Sequence, residues 1–556
     1  MQIQRRLTSG LATAASVLTL SSASGQPISD SEKIERLQRQ TELLEQQIKA
    51  LKAEIAQTRK KTERVESAQA QAAANTAQVA HADAALPRDP KSPLPTKIPM
   101  MQKIKITPGG FVAAETVFRS RNTVNDMGTV FNNIPYPFSP LYSEREFHGS
   151  ARQTRLSLLV EGDIDAAQKL AGYVEGDFLG IGAGSNYTQT NSWAPRLRHG
   201  YLTYDNSHWG VHFLAGQSWS LLTQHQVGIT PRKENIPLTI DANYVVGFNF
   251  TRNWQLRFVK DFGSTFSLGV SIENPATVDG ISGTTTTNGV TSVNVNGIVA
   301  NISNVGTGFL NTVAVTPDVA PDIIVKAAFD PGWGHYEVFG LGRFFTDNTF
   351  CADPVPTGCA IGTTDSKTSF GASIGGSVLL PIVPKYLDLQ ASALYGRGVG
   401  RYGTSALPDV TIAPDGSLEP LTGLQALVGV VGHPWEGFDL YAYAGIEQVD
   451  AKFFDAGGRP FGYGNPGFNN TGCLIASAAS FAGGPAPLGG CVANTKRLID
   501  ITGGFWHNVF KGDYGRLAVG AQYAYVRKEA FPGIGGAPKT DDNIVMTSVR
   551  YYPWGP

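Results

Sequence analysis

Charged and polar side chains recur at alternate positions through the first half of this chain. Arg155, then Glu175 and Asp177, then Arg196 and Arg198, then Gln255 and Arg257 alternate with apolar neighbours such as Leu156, Val174, Leu197 and Leu256. No nucleophile stands beside a base in this set, so covalent catalysis is not its chemistry. Its chemistry is ion recognition: guanidinium groups take carboxylates bidentately, and a wall of them concentrates anions. A wall of ion pairs that satisfies only itself is the competing reading, and the sequence leaves both open. Arg232, Lys233 and Glu234 add a second charged group at the centre of residues 220–243, a long connection without regular structure. Connections of that length are commonly functional. The expectation is that it folds inward and narrows a passage opposite Arg155, Arg196, Arg198 and Arg257.

Four cysteines form two local pairs. Cys351 and Cys359 flank one Pro/Gly-rich stretch, and Cys473 and Cys491 flank another. Pairing within each stretch is the natural choice among three connectivities, and each closed loop is stabilised by about 3 kcal/mol in the chain-entropy model. A metal site is the rival, but no histidine lies at ligand-like spacing, so neither metal nor cofactor is expected. His199, His212 and His225 lie near Ser218 and Ser220, yet no nucleophile-elbow motif surrounds either serine. These histidines are read as girdle or turn residues, and the chain as a non-enzyme.

The elements that must position these residues are short alternating strands. In Ser267–Glu273 the residues Leu268, Val270 and Ile272 share one face, and Ser267, Ser271 and Glu273 the other. Sixteen such segments follow from residue 104. The first eight are 104–118, 152–162, 169–179, 195–205, 209–219, 249–261, 265–274 and 321–330. The rest are 334–346, 367–380, 386–397, 420–432, 437–447, 496–508, 513–527 and 542–552. Tight turns alternate with long loops between them, which predicts an all-β, 16-stranded antiparallel transmembrane β-barrel with lipid-facing and lumen-facing residues in alternation. Glycine is abundant at 63 residues, only 16% of residues are charged, and no apolar run is long enough for a membrane helix. A soluble sandwich or solenoid would have to bury the charged face unpaired, at several kcal/mol per group. Sixteen strands leave room for an aqueous channel. Tyr551, Tyr552 and Trp554 fit an interfacial aromatic girdle.

Ahead of the barrel the chain changes character. Residues 1–25 read as a signal peptide, with Arg5 and Arg6 before an apolar Leu11–Leu20 segment and small residues at Ala23-Ser24-Gly25. Residues 30–66 read as a coiled-coil helix, since Ile34, Leu37, Thr41, Leu44, Ile48, Leu51 and Ile55 alternate spacings of 3 and 4. Residues 67–103 read as an Ala/Gln-rich and then Pro-rich linker, and 104–556 as the transmembrane β-barrel domain. Strand parity puts both barrel termini, and with them the helix, on the periplasmic side. The net charge of −1 argues against a nucleic-acid partner.

Several motifs carry a family resemblance. Ala151-Arg152-Gln153-Thr154-Arg155-Leu156, Tyr173-Val174-Glu175-Gly176-Asp177-Phe178 and Leu197-Arg198-His199-Gly200-Tyr201 resemble the DcaP-like porins of Gram-negative outer membranes. So do Gly216-Gln217-Ser218-Trp219-Ser220 and Ser271-Ile272-Glu273-Asn274-Pro275. The likeness covers the first seven strands, and the second half only by architecture. It implies a homotrimer in the outer membrane that passes small anionic solutes, dicarboxylates among them, by passive diffusion. The chain departs from that pattern in residues 277–316 and in its cysteine pairs, so the solute stays open. A general or sugar-type diffusion porin without anion preference, an adhesin and a hydrolase are the alternatives.

Overall fold

The computed structural model describes residues 104–554, apart from 182–184, 189, 282–283, 288–289, 306–313, 354–358 and 457. Before residue 104 it describes Gln38, Thr41, Glu42, Glu45, Gln46, Lys49 and Lys52, all helical and exposed. The expected signal peptide and linker, and every seam position of the coiled coil except Thr41, lie outside the described residues.

From residue 104 the chain forms sixteen barrel strands. The first eight are β1 (Ile104–Arg119), β2 (Arg155–Asp163), β3 (Gln168–Gly180), β4 (Ala194–Asn206), β5 (Val211–Trp219), β6 (Arg252–Phe262), β7 (Phe266–Glu273) and β8 (Asp322–Phe329). The second eight are β9 (His335–Cys351), β10 (Thr364–Val383), β11 (Leu387–Arg397), β12 (Thr422–Trp435), β13 (Phe438–Val449), β14 (Thr495–Gly512), β15 (Gly515–Ala530) and β16 (Lys539–Tyr552). Each strand pairs antiparallel with the next, and β1 closes the ring against β16 from Val112↔Tyr551 to Arg119↔Ile544. Closure leaves no edge, so the backbone groups of the wall are satisfied without water. All sixteen segments expected from alternation are present, and residues 244–261 hold a loop end and one strand, as the sixteen-strand reading requires.

The alternation that builds the strands also sorts their side chains. Along β7 exposed and buried positions alternate without a break. On the outside Val174, Leu197 and Trp254 are 56%, 54% and 50% exposed, with Leu158, Ile374 and Val545 on the same surface. An apolar exterior running round the whole wall has no place in water; it fits a bilayer.

Several long connections carry structure of their own. In 274–321 the strands Val290–Val295 and Ile298–Val305 form a hairpin that extends the wall, with Ile298–Asn301 paired against Asn348–Cys351 of β9. Cys351 is bonded to Cys359 beside this hairpin, and Cys473 to Cys491 in residues 450–494. The segment Glu146–Ser150 pairs with the upper part of β1, so residues 151–154 interrupt what is otherwise one continuous partner strand.

The lumen differs from the wholly polar, water-filled interior that alternation suggests. Inward-pointing Val117, Leu498, Val526, Ile544 and Met546 are apolar. They pack against Met127, Phe131 and Ile134 from residues 120–154, Ile240, Val245, Val246 and Phe248 from residues 220–251, and Leu407 from residues 398–421. Loops that enter a barrel need an apolar surface to lie on, because burial of apolar area is what offsets the entropy of ordering them.

Candidate functional site

The connection 220–251, between β5 and β6, is the element that shapes the lumen. It leaves the wall at Trp219 and runs toward the short-turn end, where Gly228 N–H donates to Asp330 at 2.9 Å. It then returns past β11, β13 and β15. Asn235 donates to Gln390 at 2.7 Å, Leu238 N–H to the Tyr443 hydroxyl at 3.1 Å, and Ile240 N–H to Gln522 at 2.6 Å. Gly247 N–H donates to Glu447 at 2.9 Å. Gly247 has φ +89°, and a Cβ there would run into the Ala426 carbonyl, so only glycine lets the loop lie this close to the wall. Polar wall residues that look like pore lining in the sequence are thus partly hydrogen-bond partners for an inserted loop.

The expected site residues separate into two groups. Arg196 binds Asp177 through two parallel hydrogen bonds of 3.0 and 2.7 Å. Arg198 donates to Glu175 at 2.7 Å, to Asp177 at 3.1 Å and to the Tyr244 hydroxyl of the loop at 3.3 Å. Gln255 accepts from Arg257 at 3.0 Å, and Arg257 also donates to the Trp219 carbonyl at 2.7 Å. Arg198, Arg257 and Gln255 are 2%, 1% and 0% exposed, so they lie beneath the loop and do not face open water across from it. This corrects the expected place of Arg198 and Arg257 across a constriction from the loop, and of Gln255 as open pore lining. Arg155 and Glu175 do line open space, and so does Arg232, whose guanidinium reaches the Tyr201 hydroxyl at 3.4 Å.

Two cavities flank the loop. The first, of about 470 Å³, lies between its residues 236–244 and the wall from β13 through β16 to β3. Arg155, Arg516 and Arg550 line it, with Phe111, Tyr173, Trp506 and Tyr552. The carboxylates facing it are engaged: Glu175 by Arg198, Asp439 by His433 at 2.6 Å, and Asp241 by the backbone N–H groups of Thr129 and Asn243. The second, of about 340 Å³, lies nearer the short-turn end, beside Ile229–Arg232, and is lined by Glu161, Asp163, Asp165, Asp205 and Asp261. Successive inward positions of β2, from Arg155 and Ser157 to Glu161 and Asp163, pass from the first cavity to the second.

Three local readings need correction. Tyr201, expected to face lipid, is 7% exposed and faces the lumen, because a bulge at Arg198–His199 shifts the register after Glu175↔His199. Tyr552, expected in a girdle, also points inward, whereas Tyr551 and Trp554 stay exposed. His199 is buried on the lumen wall beside Tyr173 and Trp219, and His225 is buried against Glu337 at 3.2 Å and Lys326 at 3.3 Å, so neither is a girdle residue. Sequence reasoning missed Phe111, Arg516 and Arg550. Parity along β16 was the available signal, since Ser548, Arg550 and Tyr552 alternate with Thr547, Val549 and Tyr551.

The fold and the lined lumen define a class: a closed, sixteen-stranded antiparallel β-barrel with an apolar exterior. Among solved structures, the chain is similar to the outer membrane channel DcaP of Acinetobacter baumannii. They share 18% identity at a TM-score of 0.52, over 81% of this chain and 97% of that one. This is a likeness of fold, and it agrees with the DcaP-like resemblance carried by the motifs. Weaker overlaps exist with OprB of Pseudomonas putida (TM-score 0.41, 9% identity, 80% and 94% covered) and OmpT of Vibrio cholerae (TM-score 0.39, 10% identity, 81% and 98% covered). No family model matches the chain, and no curated protein does.

Proposed function

We propose that the protein is a porin of a Gram-negative outer membrane that passes small hydrophilic anions, carboxylates among them, by passive diffusion. The observation that carries this reading is the charge balance of the 470 Å³ cavity beside the inserted loop. Arg155 and Arg516 face it with their Nε atoms lacking a hydrogen bond, Arg550 faces it bound to Glu115, and its carboxylates are held by other partners. A passing anion therefore meets positive groups in a partly dehydrated setting, where charge counts for more than in water. Binding stays weak enough for release, and no energy source is coupled to it. On this reading the short-turn end is periplasmic, the N-terminal helix lies in the periplasm, and the chain assembles as a homotrimer surrounded by outer-membrane lipid.

A second reading, a general diffusion porin without anion preference, is favoured by the acidic lining of the 340 Å³ cavity. Reversal potentials of the reconstituted protein in a salt gradient separate the two. An anion-selective potential supports the first, and a potential near zero the second.

A further inference from the structure

The register of the barrel places two arginine–aromatic pairs side by side in the larger cavity. Phe111 of β1 lies directly across from Arg155 of β2, and Tyr552 of β16 directly across from Arg516 of β15. The Arg155 guanidinium stands 5.2 Å from the Phe111 ring centre, and that of Arg516 stands 4.1 Å from the Tyr552 ring centre. The two rings meet at 5.3 Å with an interplanar angle of 48°. Gly110, next to Phe111, has φ +117°, and a Cβ there would strike the Arg155 carbonyl, so the backbone at this point is built for the close approach.

The two guanidinium groups are not spent on the wall. The Nε atoms of Arg155 and Arg516 are buried without a hydrogen-bond partner, and Arg155 has only a 3.6 Å ion pair with Glu175, whose nearer partner is Arg198. Arg550 differs. It is bound to Glu115 at 2.8 Å and stands 4.7 and 4.6 Å from the Phe111 and Trp506 ring centres. On the loop side Ile236, Pro237 and Leu238 supply an apolar surface, and the Trp506 indole N–H fixes Leu238 by donating to its carbonyl at 2.7 Å. The volume of 470 Å³ falls within the roughly 300–1,000 Å³ of small-molecule sites.

A small inorganic anion would use the arginines and waste the rings. A flat apolar body carrying one carboxylate uses both, stacking on Tyr552, the partly exposed ring of the pair, while the carboxylate takes guanidinium donors. We propose that this cavity is a recognition site for aromatic carboxylates, with the ring on Tyr552, which Phe111 backs from its buried position, and the carboxylate on Arg155 and Arg516. The inference rests on the anion-channel reading and narrows it to a substrate class.

The test is block of potassium chloride current through the full-length protein in a planar lipid bilayer by sodium benzoate, cyclohexanecarboxylate and adipate. Benzoate is expected to interrupt the current at a concentration at least about fivefold lower than either of the others. Tyr552→Leu should remove that preference, whereas Tyr552→Phe keeps it. Where Tyr552→Leu fails to insert, Tyr552→Phe and the wild-type comparison decide. Equal block by benzoate and cyclohexanecarboxylate in an anion-selective wild-type channel overturns this inference and spares the channel reading. A cation-selective wild-type channel overturns both.

Discussion

At the scale of single residues, similar arginines have different tasks, and their partners tell them apart. Arg257 is buried with hydrogen bonds to Gln255 and the Trp219 carbonyl, so it ties the start of the inserted loop to the wall. Arg257→Gln should weaken that seat by about 1–3 kcal/mol, the usual cost of leaving a buried acceptor without its donor. Single-channel recordings check this: the variant is expected to flicker between conductance levels, and a steady wild-type level would show that Arg257 does not hold the loop. Which arginines face open space was not legible in the sequence. Alternation assigns a side chain to the lumen face, but says nothing of whether a loop then covers it. The bulge at Arg198–His199 defeated the assignment of Tyr201 for a related reason, since one extra residue inverts every later position on the strand.

At the scale of elements, the inserted loop carries titratable groups of opposite tendency. Burial, helped by Lys326, pushes His225 down to about 3. Its neutral form is thus favoured only while the loop is seated. The stability it lends is complete above its ordinary value of 6.5 and is lost as pH falls below that. Burial pushes Glu234 the other way, above its ordinary 4.5, although Arg257 opposes the shift. A seated loop therefore loses stability as pH rises from 4.5 through the raised value. Flicker measured against pH should lose its acid rise in His225→Gln and its rise toward higher pH in Glu234→Gln. Unaltered profiles in both variants would place the gating groups elsewhere. The cysteine pairs were legible because each lies within one connection. Replacing Cys473 and Cys491 by serine should expose residues 473–491 to protease, at a local cost of about 3 kcal/mol, while the barrel keeps its heat resistance in detergent. Loss of the barrel itself would mean that the bond supports more than its loop.

At the scale of the whole molecule, the strand count was the most legible property. A period of two over each strand of about ten residues, repeated with tight turns and long loops in alternation, leaves few ways to arrange the wall. The filled upper lumen was not legible, because inward Ile544 and Met546 carry the same chemistry as lipid-facing Val545 and Val549. Only the loops that cover them make the difference. On the proposed homotrimer reading, removing residues 26–99 should weaken a heat-modifiable oligomer yet leave the barrel folded, read by gel mobility with and without boiling. Failure of the shortened chain to insert would show that barrel and N-terminal segment are one folding unit. The central claim is an anion-preferring passage set by Arg155 and Arg516. Its most direct test is the reversal potential of the purified protein across a tenfold potassium chloride gradient, beside that of the Arg155→Gln, Arg516→Gln double variant. The account predicts an anion-selective potential in the wild type that moves toward cation selectivity in the variant. The same potential in both proteins, or cation selectivity in the wild type, would contradict it.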